Sequence, residues 1–127
     1  MSAFNNVVSD RVFRFVFDGG GLALTTGAKL VYMTVPLSCN IVSWRILANP
    51  SGSIVFDIWR DTFANFPPTV ADTITASAKP TLSAATTAES STLTGWTTGL
   101  AAGDILEVNI DSVSTVTKVY LDLFVTF

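Results

Sequence analysis

The sequence predicts an all-β domain, an antiparallel β-sandwich of about eight short strands with a jelly-roll-like arrangement. Three observations lead there. Apolar and polar residues alternate with a period of two along most of the chain. Turn-forming residues separate the alternating runs. No stretch holds a helical period over two turns, and only the Ala-rich piece near Ala84 is ambiguous. A chain of 127 residues fits one domain. At that length roughly two thirds of the unfolded surface can be buried, so neither a disulfide nor a metal is needed for folding.

The first run, residues 11–17, places Phe13, Phe15 and Phe17 on one face and Val12, Arg14 and Val16 on the other. Asp18, Gly19, Gly20 and Gly21 then break it, because glycine enters positive-φ turns freely. A second strand is expected over 29–35, ending at Pro36, and a third over 41–48 with Val42, Trp44, Ile46 and Ala48 on one face. The tetrapeptide Asn49-Pro50-Ser51-Gly52 is a strong turn signal. A fourth strand, 53–60, shows Ile54, Phe56 and Ile58 on one face, and Val55, Asp57 and Trp59 on the other.

From 61 to 88 the alternation weakens, and Ser, Thr, Ala and three prolines take over. Short strands are expected at 73–76 and 91–93. Order returns at Asp104, where Leu106, Val108 and Ile110 point inward and Glu107, Asn109 and Asp111 outward. The last strand, 116–127, carries Val119, Leu121, Leu123, Val125 and Phe127 on one apolar face. The expected organisation is a polar N-terminal arm, 1–10, followed by a single sandwich domain, 11–127. The arm either lies free or crosses a neighbouring subunit.

Composition narrows the function. Apolar residues make up 49% of the chain and charged ones 13%. That excess of apolar surface is expected to be covered between subunits, the alternative being a large core within the chain. The net charge is −3 and the seven basic residues form no stripe, so nucleic acid is not an expected partner. The longest charge-free run in the first half, 30–44, contains Pro36, Ser38 and Asn40 and falls short of the roughly 20 apolar residues of a membrane span. The polar start lacks the apolar region of a signal peptide. Synthesis in the cytoplasm, with departure only inside a larger particle, is therefore expected. The single cysteine, Cys39, is expected as a buried thiol.

Histidine is absent, which removes the common imidazole-based nucleophile pairs and many zinc and iron site types. Asp57 and Asp61 are four apart, roughly 13 Å on an extended strand, too far for a glycosidase pair. No catalytic residues, no cofactor and no metal are assigned, and an enzyme is not expected. Asp57, Asp61 and Asp72 converging on a hard cation is the alternative to solvated or turn-capping carboxylates, but EF-hand spacing is missing. The glycines at 19–21 lack the Gly-Lys-Ser/Thr ending of a phosphate loop and read as a turn. Trp59, Tyr120 and Phe124 occupy the faces opposite the best apolar faces of their strands, and a subunit interface is the expected use. Trp96, within Gly95-Trp96-Thr97-Thr98-Gly99, is either packed in its loop or in contact with a ligand such as a sugar.

Two stretches carry a resemblance. One is the run 51–61 (SGSIVFDIWRD), continuing through 64–75 (ANFPPTVADTIT). The other is 91–98 (STLTGWTT), followed by 102–106 (AGDIL). With the opening 15–21 (FVFDGGG) and 25–27 (TTG), they resemble a small β-sandwich module of tailed-bacteriophage virion proteins, found in tail- and fibre-associated chains. The resemblance rests on turns and strand faces and brings no catalytic residues with it. It implies a structural role in a virion and symmetric assembly, a homotrimer being the common form. The chain as the module alone suits a capsid decoration or cement protein, or a small tail or fibre-tip component. The implied partners are further copies of the chain and major capsid or tail proteins. Binding of a host-surface glycan or receptor is the alternative.

Overall fold

The computed structural model describes residues 10–127, so most of the expected N-terminal arm lies outside the described residues. Seven strands form: β1 (Asp10–Asp18), β2 (Gly27–Thr34), β3 (Cys39–Asp61), β4 (Thr81–Ser90), β5 (Gly99–Leu100), β6 (Ile105–Ser114) and β7 (Lys118–Thr126). All pairings are antiparallel. The described residues contain two single-turn 3-10 segments, Phe63–Asn65 and Val70–Asp72, and no α-helix. The all-β, sandwich-like architecture expected from the alternation is what the chain adopts.

The two layers are made by creasing one sheet. Its strand order is β1-β7-β3-β6-β2, with β4 and β5 also paired to β3. The first half of β3 pairs with β7, from Asn40 opposite Thr126 to Asn49 opposite Lys118. The second half pairs with β6, from Ser53 opposite Ser114 to Asp61 opposite Ile105. β4 follows the other edge of β3 across both halves, with register shifts on either side of Gly52. Three long paths therefore bend together: β3 near Gly52, β6 into β7 at 115–117, and β4 at Ala84. Thr115 (φ 66°) and Ala84 (φ 45°) are left-handed at those bends. One layer then holds β1, β7, the first half of β3 and the end of β4. The other holds β2, β6, the second half of β3 and the start of β4.

Folding the sheet turns the apolar faces toward each other. Phe13, Phe15 and Phe17 of β1 join Leu121, Leu123 and Val125 of β7 and Ile54, Phe56 and Ile58 of β3 in one buried cluster. Phe17 and Phe56 meet across the layers with ring centroids 5.5 Å apart. Burial of each such side chain contributes on the order of 1.5–3 kcal/mol, which makes this cluster the main source of stability. Cys39 is buried and free, as its strand position suggests.

The sequence reading needs correction at three elements. Residues 41–48 and 53–60 are not two strands joined by a turn. They are the halves of β3, and Asn49-Pro50-Ser51-Gly52 is the crease between them. No strand forms at 73–76, where Thr73 makes only a single bridge to Trp59. None forms at 91–93 either. The edge strand lies earlier, at Thr81–Ser90, where Leu82 is buried while most side chains around it face outward.

Gly52 is buried at the crease, and a Cβ there would run into the Ser114 carbonyl oxygen, Thr115 Oγ1 and Val116 Cγ2. Gly52→Ala is expected to cost about 2–3 kcal/mol, as overpacking against backbone does. Gly20→Ala is the control: Gly20 has φ 65° but open space around it, so about 1 kcal/mol is expected. Urea unfolding midpoints separate the two, and equal losses would refute the crease argument.

Candidate interaction face

The outward face of the first layer is an ordered grid, because each antiparallel pairing fixes which side chains stand abreast. Its middle row runs Arg14, Asp122, Arg45, Glu89 across β1, β7, β3 and β4. The rows flanking it are Val12, Phe124, Ser43 and Val16, Tyr120, Leu47, Thr87.

The middle row alternates in charge and is joined by ion pairs. Arg14 Nε and Nη2 donate to the two oxygens of Asp122 at 2.7 and 2.8 Å. Arg45 Nη2 donates to Glu89 at 2.8 Å. Asp122 is buried at 3% exposure, whereas Glu89 keeps 67% of its side chain open. The guanidinium groups also lie over the aromatic rings: Arg14 is 4.6 Å from the Tyr120 centroid and Arg45 5.2 Å from that of Phe124. Such contacts contribute about 0.5–1 kcal/mol each at exposed sites. Val12 and Val16 remain nearly half exposed. Shallow depressions open on this face, one lined by Leu47, Asn49, Lys118 and Tyr120 and another by Arg45, Leu47, Thr87 and Glu89.

Of the three aromatics expected at an interface, Tyr120 and Phe124 share this face and Trp59 does not. Trp59 is on the outward side of the other layer, abreast of Glu107 on β6. The charged row runs between Tyr120 and Phe124.

The second layer's outward side is largely covered by residues 62–80. Phe66 packs edge-on against Tyr32 of β2, with centroids 4.8 Å apart, and Thr73 is bridged to Trp59 of β3. The segment between them crosses β6, where Ile105 and Glu107 are buried. Asp57 is buried as well, at 2% exposure. Its Oδ1 accepts hydrogen bonds from Thr73 Oγ1 (2.6 Å), Thr75 Oγ1 (2.8 Å) and the Ile58 amide (2.8 Å). Its Oδ2 accepts one from Trp59 Nε1 at 3.1 Å, and Lys79 Nζ stands 3.8 Å away. Lys79 also binds Asp111 at 2.6 Å. Asp57 thus fastens the covering segment to β3.

Asp61 and Asp72 serve local turns. Asp61 accepts from the Thr62 amide and Asn65 Nδ2, and the amide bond holds its carboxyl below the usual carboxylate range. Asp72 accepts from the Thr69 amide in a capping box. Among the described residues no group of three His, Cys, Asp or Glu side chains is placed to hold a metal ion. Trp96 is buried at 9% exposure and donates its indole N–H to the Ala78 carbonyl at 2.8 Å. Its loop is tied on by bonds from the Thr97 amide to Ile74 and from the Ile41 amide to Thr98. The ring packs in its loop and is not displayed at the surface.

Comparison with known proteins finds no matching family and no matching curated protein.

Two outcomes follow from the buried carboxylates. Asp57→Ala leaves two threonine hydroxyls and an indole N–H without their acceptor. We expect a loss of about 2–4 kcal/mol in denaturant unfolding; a loss below about 0.5 kcal/mol would show that the cluster contributes nothing. Glu107 differs, because desolvation pushes its carboxyl pKa up. The folded state then holds a proton that the unfolded state has released, so stability falls as pH rises from the unfolded value through the folded one. Glu107→Gln should therefore match the native chain near pH 3.5 and exceed it in thermal midpoint at pH 7. Equal midpoints at pH 7 would contradict a desolvation penalty at this position.

Proposed function

We propose that the chain is a structural subunit of a tailed-bacteriophage virion, working by protein–protein contact and not by turnover, with the outward face of its first layer as the contact surface. The observation that supports this most is the contrast between the two outward sides. One is largely covered by the chain's own segment 62–80. The other is left as a grid in which aromatic and arginine side chains, the residue types enriched where proteins bind each other, stand beside valine and leucine. The resemblance to the phage sandwich module points to the same role. A capsid decoration or cement protein, or a small tail or fibre component, fits a domain whose strength lies in its fold and its face. Symmetric assembly of copies of this chain, with capsid or tail proteins as further partners, belongs to this reading.

Light scattering after size exclusion tests it. The native chain is expected to run above its monomer mass of 13.5 kDa. Tyr120→Asp and Phe124→Asp are each expected to weaken assembly about 30-fold, the equivalent of losing an anchor worth roughly 2 kcal/mol, with β circular dichroism retained. Unchanged assembly in both variants would remove this face from the proposal.

A further inference from the structure

The crease at Gly52 returns the two ends of β3 to the same end of the sandwich. Asn40 stands there beside Thr126 of β7 in the first layer, and Arg60 beside Leu106 of β6 in the second. Far apart along one strand, Asn40 and Arg60 line a single cavity of about 450 Å³, with β5 bordering it. That volume lies in the range that small-molecule sites occupy.

The cavity wall has two chemical characters. One part is polar, and its groups are open. The Asn40 amide and the Thr126 hydroxyl have no hydrogen-bond partner among the described residues. Ser38 Oγ accepts from the Ala102 amide at 3.3 Å, which leaves its hydroxyl hydrogen to donate. Arg60 is the one charged side chain in the lining. Its Nη1 donates to Asp104 at 3.2 Å and its Nε is buried without a partner, so Nη2 is the nitrogen it has left to give. The other part is apolar. It consists of Leu100 and the half-exposed Phe127 ring, which Phe13 backs at a centroid distance of 6.5 Å.

These groups select a ligand. Asp104, 6% exposed and outside the lining, already balances the charge of Arg60. An anion would therefore gain the guanidinium but meet the carboxylate behind it. A wholly apolar molecule would strip water from Arg60 and Asn40 and leave them unpaired. A neutral pyranose matches both parts of the wall. Its hydroxyls donate and accept around the rim, and its C–H face packs on Leu100 and Phe127.

We propose that this cavity binds a neutral sugar ring, with Arg60 and Asn40 taking its hydroxyls and Phe127 its C–H face. The site sits at the end of the sandwich and goes beyond the contact role of the first-layer face. A single ring makes few contacts, so its dissociation constant falls in the millimolar range.

Amide NMR titration of the full chain tests the site. The probes are D-glucose, D-galactose, D-mannose and N-acetyl-D-glucosamine, with sorbitol as the ringless control. At least one of the four should shift the Asn40, Gly99, Leu100 and Ala101 amides saturably, and sorbitol should not. Asn40 is exposed, so Asn40→Ala leaves the core intact. Arg60→Lys keeps a cation beside Asp104 but loses the planar fork. Each of these, and Phe127→Ala, should raise the dissociation constant of that sugar about tenfold with β circular dichroism retained. No saturable shift at those amides with any of the four sugars at high millimolar concentration would overturn the proposal. So would equal shifts with sorbitol, or glucuronate binding more tightly than the best neutral sugar. Binding unmoved by all three substitutions would place the sugar elsewhere and overturn it as well.

Discussion

Everything in this fold depends on one close approach, where the backbone of Gly52 meets the bend at Ser114, Thr115 and Val116. There the long ribbon of β3 against β6 and β7 folds over on itself. If β3 continued straight, the apolar faces of its two halves would lie in one open sheet with nothing to cover them. The crease brings Phe17 against Phe56 and turns one curled sheet into two layers. A side chain at residue 52 has no room, and the left-handed residues Ala84 and Thr115 let the neighbouring paths follow the same bend. The core is thus a product of backbone proximity at one point, extended by ordinary hydrophobic burial everywhere else.

That dependence explains what could be read from the sequence. Phe13, Phe15 and Phe17, or Leu121, Leu123 and Val125, declare a strand and its inner face by alternation alone, and all are buried as expected. Asn49-Pro50-Ser51-Gly52 is different. Its composition says that the chain changes direction, and it does. Whether it ends a strand or creases one depends on β4, β6 and β7 continuing past it, and those are distant partners. β4 itself was not legible. Thr81–Ser90 is Ser-, Thr- and Ala-rich because it is an edge strand with little to bury, and its pairing to β3 supplies the order its side chains do not.

The surface chemistry was partly legible for the same reason. Alternation places Tyr120 and Phe124 outward, and they are on one face. It places Trp59, Asp57 and Glu107 outward as well, but cannot know that residues 62–80 return to cover them. Asp57 therefore reads as a solvated carboxylate and is instead the anchor of that segment, bonded by Thr73, Thr75 and Trp59. The charge row across β1, β7, β3 and β4 has no local signal at all. Arg14 and Asp122 are 108 residues apart, and only strand register sets them abreast.

The pairing of β3 has a consequence during synthesis. Apart from β4 and the two-residue β5, its neighbours are β6 and β7, whose paired residues follow its own by 44 (Asp61 and Ile105) to 86 (Asn40 and Thr126) positions. While the ribosome is still adding residues 62–104, the apolar face of β1 has no strand beside it, and the central strand lacks one edge. Contacts so far apart along the chain form slowly and leave sticky intermediates. The nascent chain therefore keeps apolar surface open until the last 23 residues, which carry all of β6 and β7, have left the exit tunnel. Synthesis of many copies at once would meet that hazard at the highest local concentration of the chain.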